Sequence, residues 1–121
     1  MKTIKQIKGK KAEEIALNHL KKAGLRLIQP NFLCKLGEID LIMKDQQTIV
    51  FVEVRYRKSV RFGTGAETVR YYKQQRIIRA AQVFLKSTKW TNTKPCRFDI
   101  VDLTGDLSQP DIRWIKSAFI L

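Results

Sequence analysis

Long apolar runs are missing from this sequence. No stretch approaches the roughly 20 apolar residues that a membrane-spanning helix needs. The basic N-terminal residues 1–11 are not followed by the apolar core of a signal peptide. Hydrophobic residues still make up 44% of the 121 positions, which is enough for one buried core. We therefore expect a soluble cytoplasmic protein with a single domain over residues 1–121 and no membrane partner.

Cysteine and histidine are also scarce. The chain has two cysteines, Cys34 and Cys96, and one histidine, His19. The cysteines do not form a Cys-x-x-Cys pair, and a single histidine disfavours both a histidine-based zinc site and a catalytic triad. We predict that both cysteines are buried free thiols in a reducing compartment and that His19 is structural.

Acidic residues are few, whereas basic residues are abundant. The chain has 24 Lys and Arg against 11 Asp and Glu, a formal net charge of +13. Between Arg55 and Arg97 there are twelve basic residues and a single acid, Glu67. This imbalance favours a polyanionic partner such as nucleic acid. The alternative is that the basic residues only keep the surface soluble.

Hydrophobic periodicity predicts an α/β (α+β) chain, with a mixed sheet flanked by helices in the order α-β-β-β-α-β-β. Gly24 is predicted to end the first helix, and capping-box spacing starts the second at Thr64. The predicted helices are Gly9–Ala23 and Thr64–Lys86. The predicted strands are Leu25–Ile28, Glu38–Lys44, Thr48–Tyr56, Arg97–Leu103 and Ile112–Phe119.

The second and third predicted strands form a hairpin that carries charged residues. On the second strand, alternation places Ile39, Leu41 and Met43 on one face and Glu38, Asp40 and Ile42 on the other. On the third strand, Glu53 and Arg55 lie opposite a valine face. A close hairpin brings Asp40 near Glu53. Two carboxylates beside a cation suggest a magnesium site acting on phosphate, but periodicity equally allows a cross-strand ion pair with Arg55.

Several spaced motifs add a family resemblance. They are Gly9-x-x-x-Glu13-x-x-Ala16, Gly37-Glu38-Ile39-Asp40-Leu41-Ile42, Val50-Phe51-Val52-Glu53-Val54-Arg55-Tyr56-Arg57, Arg61-Phe62-Gly63, Lys73 and Arg97-Phe98-Asp99-Ile100-Val101. In this order the motifs resemble the YraN-like uncharacterised bacterial protein family. That family belongs with the restriction-endonuclease-like nucleases and the archaeal-type Holliday junction resolvases. The resemblance implies a restriction-endonuclease-like core and, by analogy with the resolvases, a homodimer.

The resemblance also implies an Asp…Glu-x-Lys nuclease site. Asp40, Glu53 and Glu13 match the residues that hold magnesium or manganese, and Glu38 is an accessory residue of the same motif. Arg55 stands where the pattern has lysine. Because arginine does not lose its proton in proteins, it can stabilise phosphate charge but cannot act as a general base.

Lys73 lies on the apolar side of the second predicted helix. Its amine either extends past the sheet edge into solvent or lies beside the carboxylates and partly replaces the missing lysine. We therefore include it among the catalytic candidates. The predicted phosphate contacts are Arg57, Lys58, Arg61, Arg70, Arg76 and Arg79.

These observations support a metal-dependent endonuclease-like protein acting on DNA. The alternative is a nucleic-acid-binding module on the same fold whose catalysis has decayed at Arg55. A third hypothesis is a structural protein without a nucleic-acid partner.

Overall fold

A computed structural model describes residues 1–59 and 70–120 of the chain. The described residues form two helices and five strands in the predicted order. The helices are α1 (Ile4–Lys22) and α2 (Tyr71–Ser87). The strands are β1 (Arg26–Cys34), β2 (Gly37–Asp45), β3 (Thr48–Arg57), β4 (Cys96–Thr104) and β5 (Asp111–Phe119).

The five strands form one mixed sheet in the order β1-β2-β3-β4-β5. Strands β3 and β4, which flank α2 in the chain, are parallel, and the other neighbours are antiparallel. The central strand β3 is buried on both faces. Ile49 and Phe51 pack against α2, whereas Val50 and Val52 pack against α1. The α+β architecture predicted from periodicity is therefore confirmed, with one helix on each face of the sheet.

The predicted start of the first helix is wrong, and the described part of the second helix begins later than its predicted start at Thr64. Helix α1 begins at Ile4 rather than Gly9, because Thr3 and Gln6 form a capping box whose side chains bond each other's backbone amides. Helix α2 begins at Tyr71, because Arg70 is extended, with ψ of 156°. The Thr64 capping box predicted for α2 lies outside the described residues.

The first strand is longer than predicted. The predicted strand ends at Ile28, but β1 continues through Pro30 to Cys34. Proline is tolerated because β1 is an edge strand. A register shift between Leu27 and Gln29 and a positive φ of 51° at Asn31 absorb the irregularity.

The predicted alternation of β2 is interrupted near Asp40. Ile39 and Ile42 both belong to the cluster under α2, whereas Leu41 and Met43 belong to the cluster under α1. Ile39 therefore lies on the opposite side of the sheet from Leu41, contrary to the prediction. The break coincides with the end of the β2–β3 ladder, whose last rung pairs Leu41 with Val52.

The two cysteines and the single histidine lie within the fold and contribute to its packing. Cys34 and Cys96 are free, as predicted, but they are half-buried rather than buried. The His19 ring contacts the Trp114 ring edge-on at a centroid distance of 6.4 Å, consistent with a packing role. Within residues 1–59 and 70–120, no helix combines the length and apolar character needed to cross a bilayer.

Candidate active site at the end of the β2–β3 ladder

Asp40 and Glu53 lie where β2 and β3 stop pairing. They are the next residues on the two strands after the last rung, Leu41–Val52. The Val54 backbone amide donates a hydrogen bond of 2.8 Å to Asp40 Oδ2, which fixes this carboxylate between the strands. Glu53 is 6% exposed despite its charge. The two carboxylates can approach each other, as predicted, because the sheet opens locally where β2 and β3 stop pairing.

The start of α2 lies directly above this opening. A Cβ atom at Gly37 would come within 2.6 Å of the Arg76 carbonyl oxygen, so glycine is required where β2 meets the helix backbone. This close approach of α2 to β2 places the first turn of the helix beside the carboxylates. Lys73 Nζ lies 2.9 Å from Glu53 Oε1. Of the two positions considered for Lys73, the structure has the one beside the carboxylates.

Together these elements enclose a cavity of about 310 Å³. Acidic side chains from the sheet line one part of it, and an aromatic ring and two cations from α2 line another. The lining residues are Glu38, Asp40, Glu53, Tyr72, Lys73, Arg76 and Ile77. A cavity with carboxylates beside cations can accommodate a metal ion and a phosphate group at the same time.

The surroundings of the two carboxylates disfavour their charged forms. Burial raises the pKa of Asp40 well above its ordinary value, and the nearby Glu53 carboxylate raises it further. Burial also raises the pKa of Glu53, although the charges of Lys73 and Arg55 act in the opposite direction. A half-buried and a buried carboxylate whose charged forms are disfavoured in this way favour uptake of a proton or a cation.

Glu13 acts on the same site from α1. Burial, followed by repulsion from Glu38 and Glu53, raises the pKa of Glu13. The side chain borders a smaller neighbouring cavity of about 160 Å³ together with Asn31 and Leu41. In the described part of the chain, no three His, Cys, Asp or Glu side chains form a group that could hold a metal ion. A ligand role for Glu13 therefore stays a prediction.

Arg55 lies two residues beyond Glu53 on β3 and pairs in register with Asp102 of β4. Its charge lowers the pKa of Glu53, so it contributes to the electrostatics of the site. Arg55 is not among the cavity-lining residues, whereas Lys73 is. The ammonium group nearest Glu53 thus comes from the helix rather than from the strand position where the motif has lysine.

The predicted phosphate contacts separate into two groups. Arg57 Nη2 forms a 2.8 Å ion pair with Asp102 Oδ2, and the Arg57 side chain is only 11% exposed. This internal pairing removes Arg57 from the surface cations. The remaining described candidates are exposed, and Arg76 also lines the cavity: Lys58, Arg70, Arg76 and Arg79. Arg61 lies outside the described residues.

Sequence reasoning assigned no site role to Tyr72 or Gly37. Tyr72 follows another tyrosine, Tyr71, and nothing in the sequence distinguishes the two. The signal for Gly37 was its place at the head of the Gly-Glu-x-Asp motif. Its steric role becomes visible only when α2 is placed over β2.

The chain matches the model of an uncharacterised protein family, UPF0102, over residues 12–103. It belongs to this family. Among its relatives, a UPF0102 protein from Nitrosococcus oceani is 47% identical over 112 residues, covering 93% of this chain and 90% of the relative. One from Stutzerimonas stutzeri is 46% identical over 114 residues, covering 94% and 95%. One from Legionella pneumophila is 44% identical over 114 residues, covering 94% and 95%.

The matched range includes each candidate catalytic residue, from Glu13 through Lys73. The likeness extends over nearly the whole length of each relative, and the range matched by the family model includes the sheet end that carries the cavity. The resemblance to the YraN-like uncharacterised bacterial protein family is therefore confirmed.

Proposed function

We propose that this UPF0102 protein is a metal-dependent endonuclease that acts on DNA. The observation that carries the proposal is the contact of 2.9 Å between Lys73 Nζ and the buried Glu53 carboxylate. This contact lies in a cavity that Asp40 also lines. Two carboxylates and an ammonium group around one cavity are the side-chain types that metal-assisted phosphodiester hydrolysis requires.

The donor chemistry fits magnesium or manganese. Asp40 and Glu53 supply only oxygen ligands, and magnesium is often held by one or two carboxylates together with water and substrate phosphate. Burial raises the pKa of both groups, and the Glu53 carboxylate raises that of Asp40 further, so a divalent cation bound beside them would stabilise their charged forms. When bound, the metal would polarise the phosphodiester and lower the pKa of a coordinated water molecule.

The chain's own residues would divide the remaining work. Lys73 neutralises Glu53 and offers its ammonium group to charge developing on the phosphate. Arg76 lines the same cavity and can hold a non-bridging phosphate oxygen. Arg55 adds a fixed positive charge near Glu53. In this proposal Lys73 takes over the electrostatic role of the lysine that the Asp…Glu-x-Lys motif places at position 55.

The second candidate is a DNA-binding module that has lost catalysis. Arginine at position 55 favours this alternative, because it departs from the nuclease motif. Both candidates use the exposed cations of α2 to bind phosphates, so DNA binding alone does not separate them. Metal binding and cleavage do. The proposal also includes a cytoplasmic location and, by analogy with junction resolvases, a homodimer.

The proposal is tested by incubating the purified protein with branched, single-stranded and duplex DNA in magnesium, manganese or chelator. Asp40→Asn and Glu53→Gln each remove one charge at the site, whereas Asp111→Asn removes one charge from the exposed start of β5. Calorimetric titration with manganese measures metal binding by the same four proteins. We expect wild type and Asp111→Asn to bind metal and cleave DNA, and both site variants to lose cleavage.

The outcomes separate the candidates. Cleavage that persists in Glu53→Gln would place the chemistry elsewhere or in a contaminant. DNA binding with neither metal binding nor cleavage would favour the binding module. Failure to bind DNA even at low salt would contradict both and favour a protein without a nucleic-acid partner.

A further inference from the structure

Two adjacent tyrosines begin α2 and are largely exposed. Tyr71 is 74% exposed and Tyr72 is 65% exposed. Two other aromatic side chains between Arg55 and Arg97, Tyr56 and Trp90, have partners within the fold. The Tyr56 hydroxyl donates a hydrogen bond of 2.9 Å to the Gly105 carbonyl oxygen, and the Trp90 ring packs edge-on against another ring. The two tyrosines are therefore aromatic surface that the core does not require.

Tyr72 differs from Tyr71 in its surroundings. Tyr72 lines the cavity that contains Glu53 and Lys73, whereas Tyr71 is not among the lining residues. On an α-helix, residues four and seven positions after Tyr72 share its face. These residues are Arg76 and Arg79, and both are exposed. One face of α2 thus presents an aromatic ring at the cavity followed by two cations.

We infer that Tyr72 stacks on an unpaired base of the DNA while Arg76 and Arg79 bind the phosphates next to it. An exposed ring beside cations is the arrangement by which proteins bind single strands, because every base offers a π-face. In duplex DNA these faces are covered by neighbouring bases. This inference rests on the proposed function and adds a substrate class, namely DNA with unpaired nucleotides beside the phosphate to be cleaved.

The test measures binding without cleavage. Fluorescence anisotropy in chelator gives the affinity of the full-length protein for a labelled single-stranded oligothymidylate and for a duplex of equal length. The variants are Tyr72→Leu, which removes the ring, Tyr72→Phe, which keeps it, and Tyr71→Leu, the matched control. Circular dichroism checks that each variant retains its helices.

We expect Tyr72→Leu to weaken single-strand binding by about tenfold, the loss of one base–aromatic stack, with less than a twofold change for duplex. Tyr72→Phe and Tyr71→Leu should bind both DNAs as wild type does. Equal losses on single strand and duplex, or equal losses from the two leucine variants, would overturn the inference. So would wild-type single-strand binding by Tyr72→Leu.

The measurement is independent of the proposed catalysis. A protein that binds metal and cleaves DNA but shows no ring dependence refutes the stacking inference alone. A protein that shows the ring dependence but neither binds metal nor cleaves refutes the nuclease proposal and leaves single-strand recognition in place.

Discussion

The contact between Lys73 and Glu53 makes a quantitative prediction for Lys73→Met, which keeps most of the side-chain length and removes the charge. The amine and carboxylate lie 2.9 Å apart, with side-chain exposures of 45% and 7%. Because Lys73 is nearly half exposed, solvent screens the pair, and exposed ion pairs contribute about 0–1 kcal/mol. Glu53 can also take up a proton when its partner is lost, which limits the cost. We expect the free energy of unfolding to fall by about 1 kcal/mol.

The expected effect on the rate is much larger. If Lys73 stabilises charge on the phosphate, its removal should slow cleavage by about 10²–10³-fold, as the loss of one oxyanion donor does. Loss of about 1 kcal/mol from an ordinary stability of roughly 5–15 kcal/mol leaves the protein folded, so unfolding would not explain such a decrease. Lys73→Arg keeps a positive charge and should retain more activity than Lys73→Met.

Single-turnover cleavage of a labelled branched DNA, together with urea unfolding, measures both quantities. Lys86→Met is the matched control, because it removes the same charge from an exposed position in the last turn of α2. Lys86→Met should cleave within about twofold of wild type. The reasoning would be refuted if Lys73→Met cleaved at the wild-type rate, or if both methionine variants slowed cleavage equally.

Three further predictions follow from the site and its supports. Gly37→Ala should lower the free energy of unfolding by about 1–3 kcal/mol, because the added methyl group overpacks against α2. Gly9→Ala, in open space on α1, should instead raise the free energy of unfolding by about 0.5–1 kcal/mol. Urea unfolding of both variants measures these opposite effects. Replacing Arg70 and Arg79 by glutamate should weaken binding to all DNA sequences and reduce the slope of log affinity against log salt by about 2; an unchanged slope would exclude these contacts. A carboxyl group with a raised folded-state pKa stabilises the fold at low pH and loses this contribution as pH rises through that pKa. In chelator the stability should therefore fall as pH rises above the ordinary carboxyl pKa of about 4, and Asp40→Asn should reduce this fall; a pH profile unchanged by Asp40→Asn would contradict it.

The sequence predicted the sheet well because its strands carry the strongest local signals. The β-branched run from Thr48 and the turn before it placed β3 within one residue of its observed end. The end of β1 could not be predicted in the same way, since proline normally interrupts a strand. Only the position of β1 at the sheet edge makes Pro30 acceptable, and edge position is a property of the whole sheet.

The carboxylates of the site were predictable, but their environment was not. Strand spacing and the motif resemblance both indicated Asp40 and Glu53. Strict alternation, however, gave the wrong face for Ile39 relative to Leu41, because alternation assumes an uninterrupted ladder. The two positions considered for Lys73 depend on how far α2 extends over β2. That distance is set by the absence of a side chain at Gly37, which no periodicity reveals.

The buried acids outside the site show that burial alone does not mark a carboxylate as functional, because their partners stabilise their charge. Asp99 and Asp102 are as deeply buried as Glu53, and Asp99 occupies a similar apolar strand context in the sequence. Asp99 accepts hydrogen bonds from an arginine, a tryptophan and a backbone amide, and Asp102 is paired with an arginine. Their charges are thus used within the fold. Burial raises the pKa of Asp40, and the neighbouring Glu53 carboxylate raises it further, so the charged form of Asp40 destabilises the fold. In the proposed function a bound cation would offset this cost, and the carboxylate neighbour of Asp40, in addition to burial, distinguishes the candidate site from the structural acids.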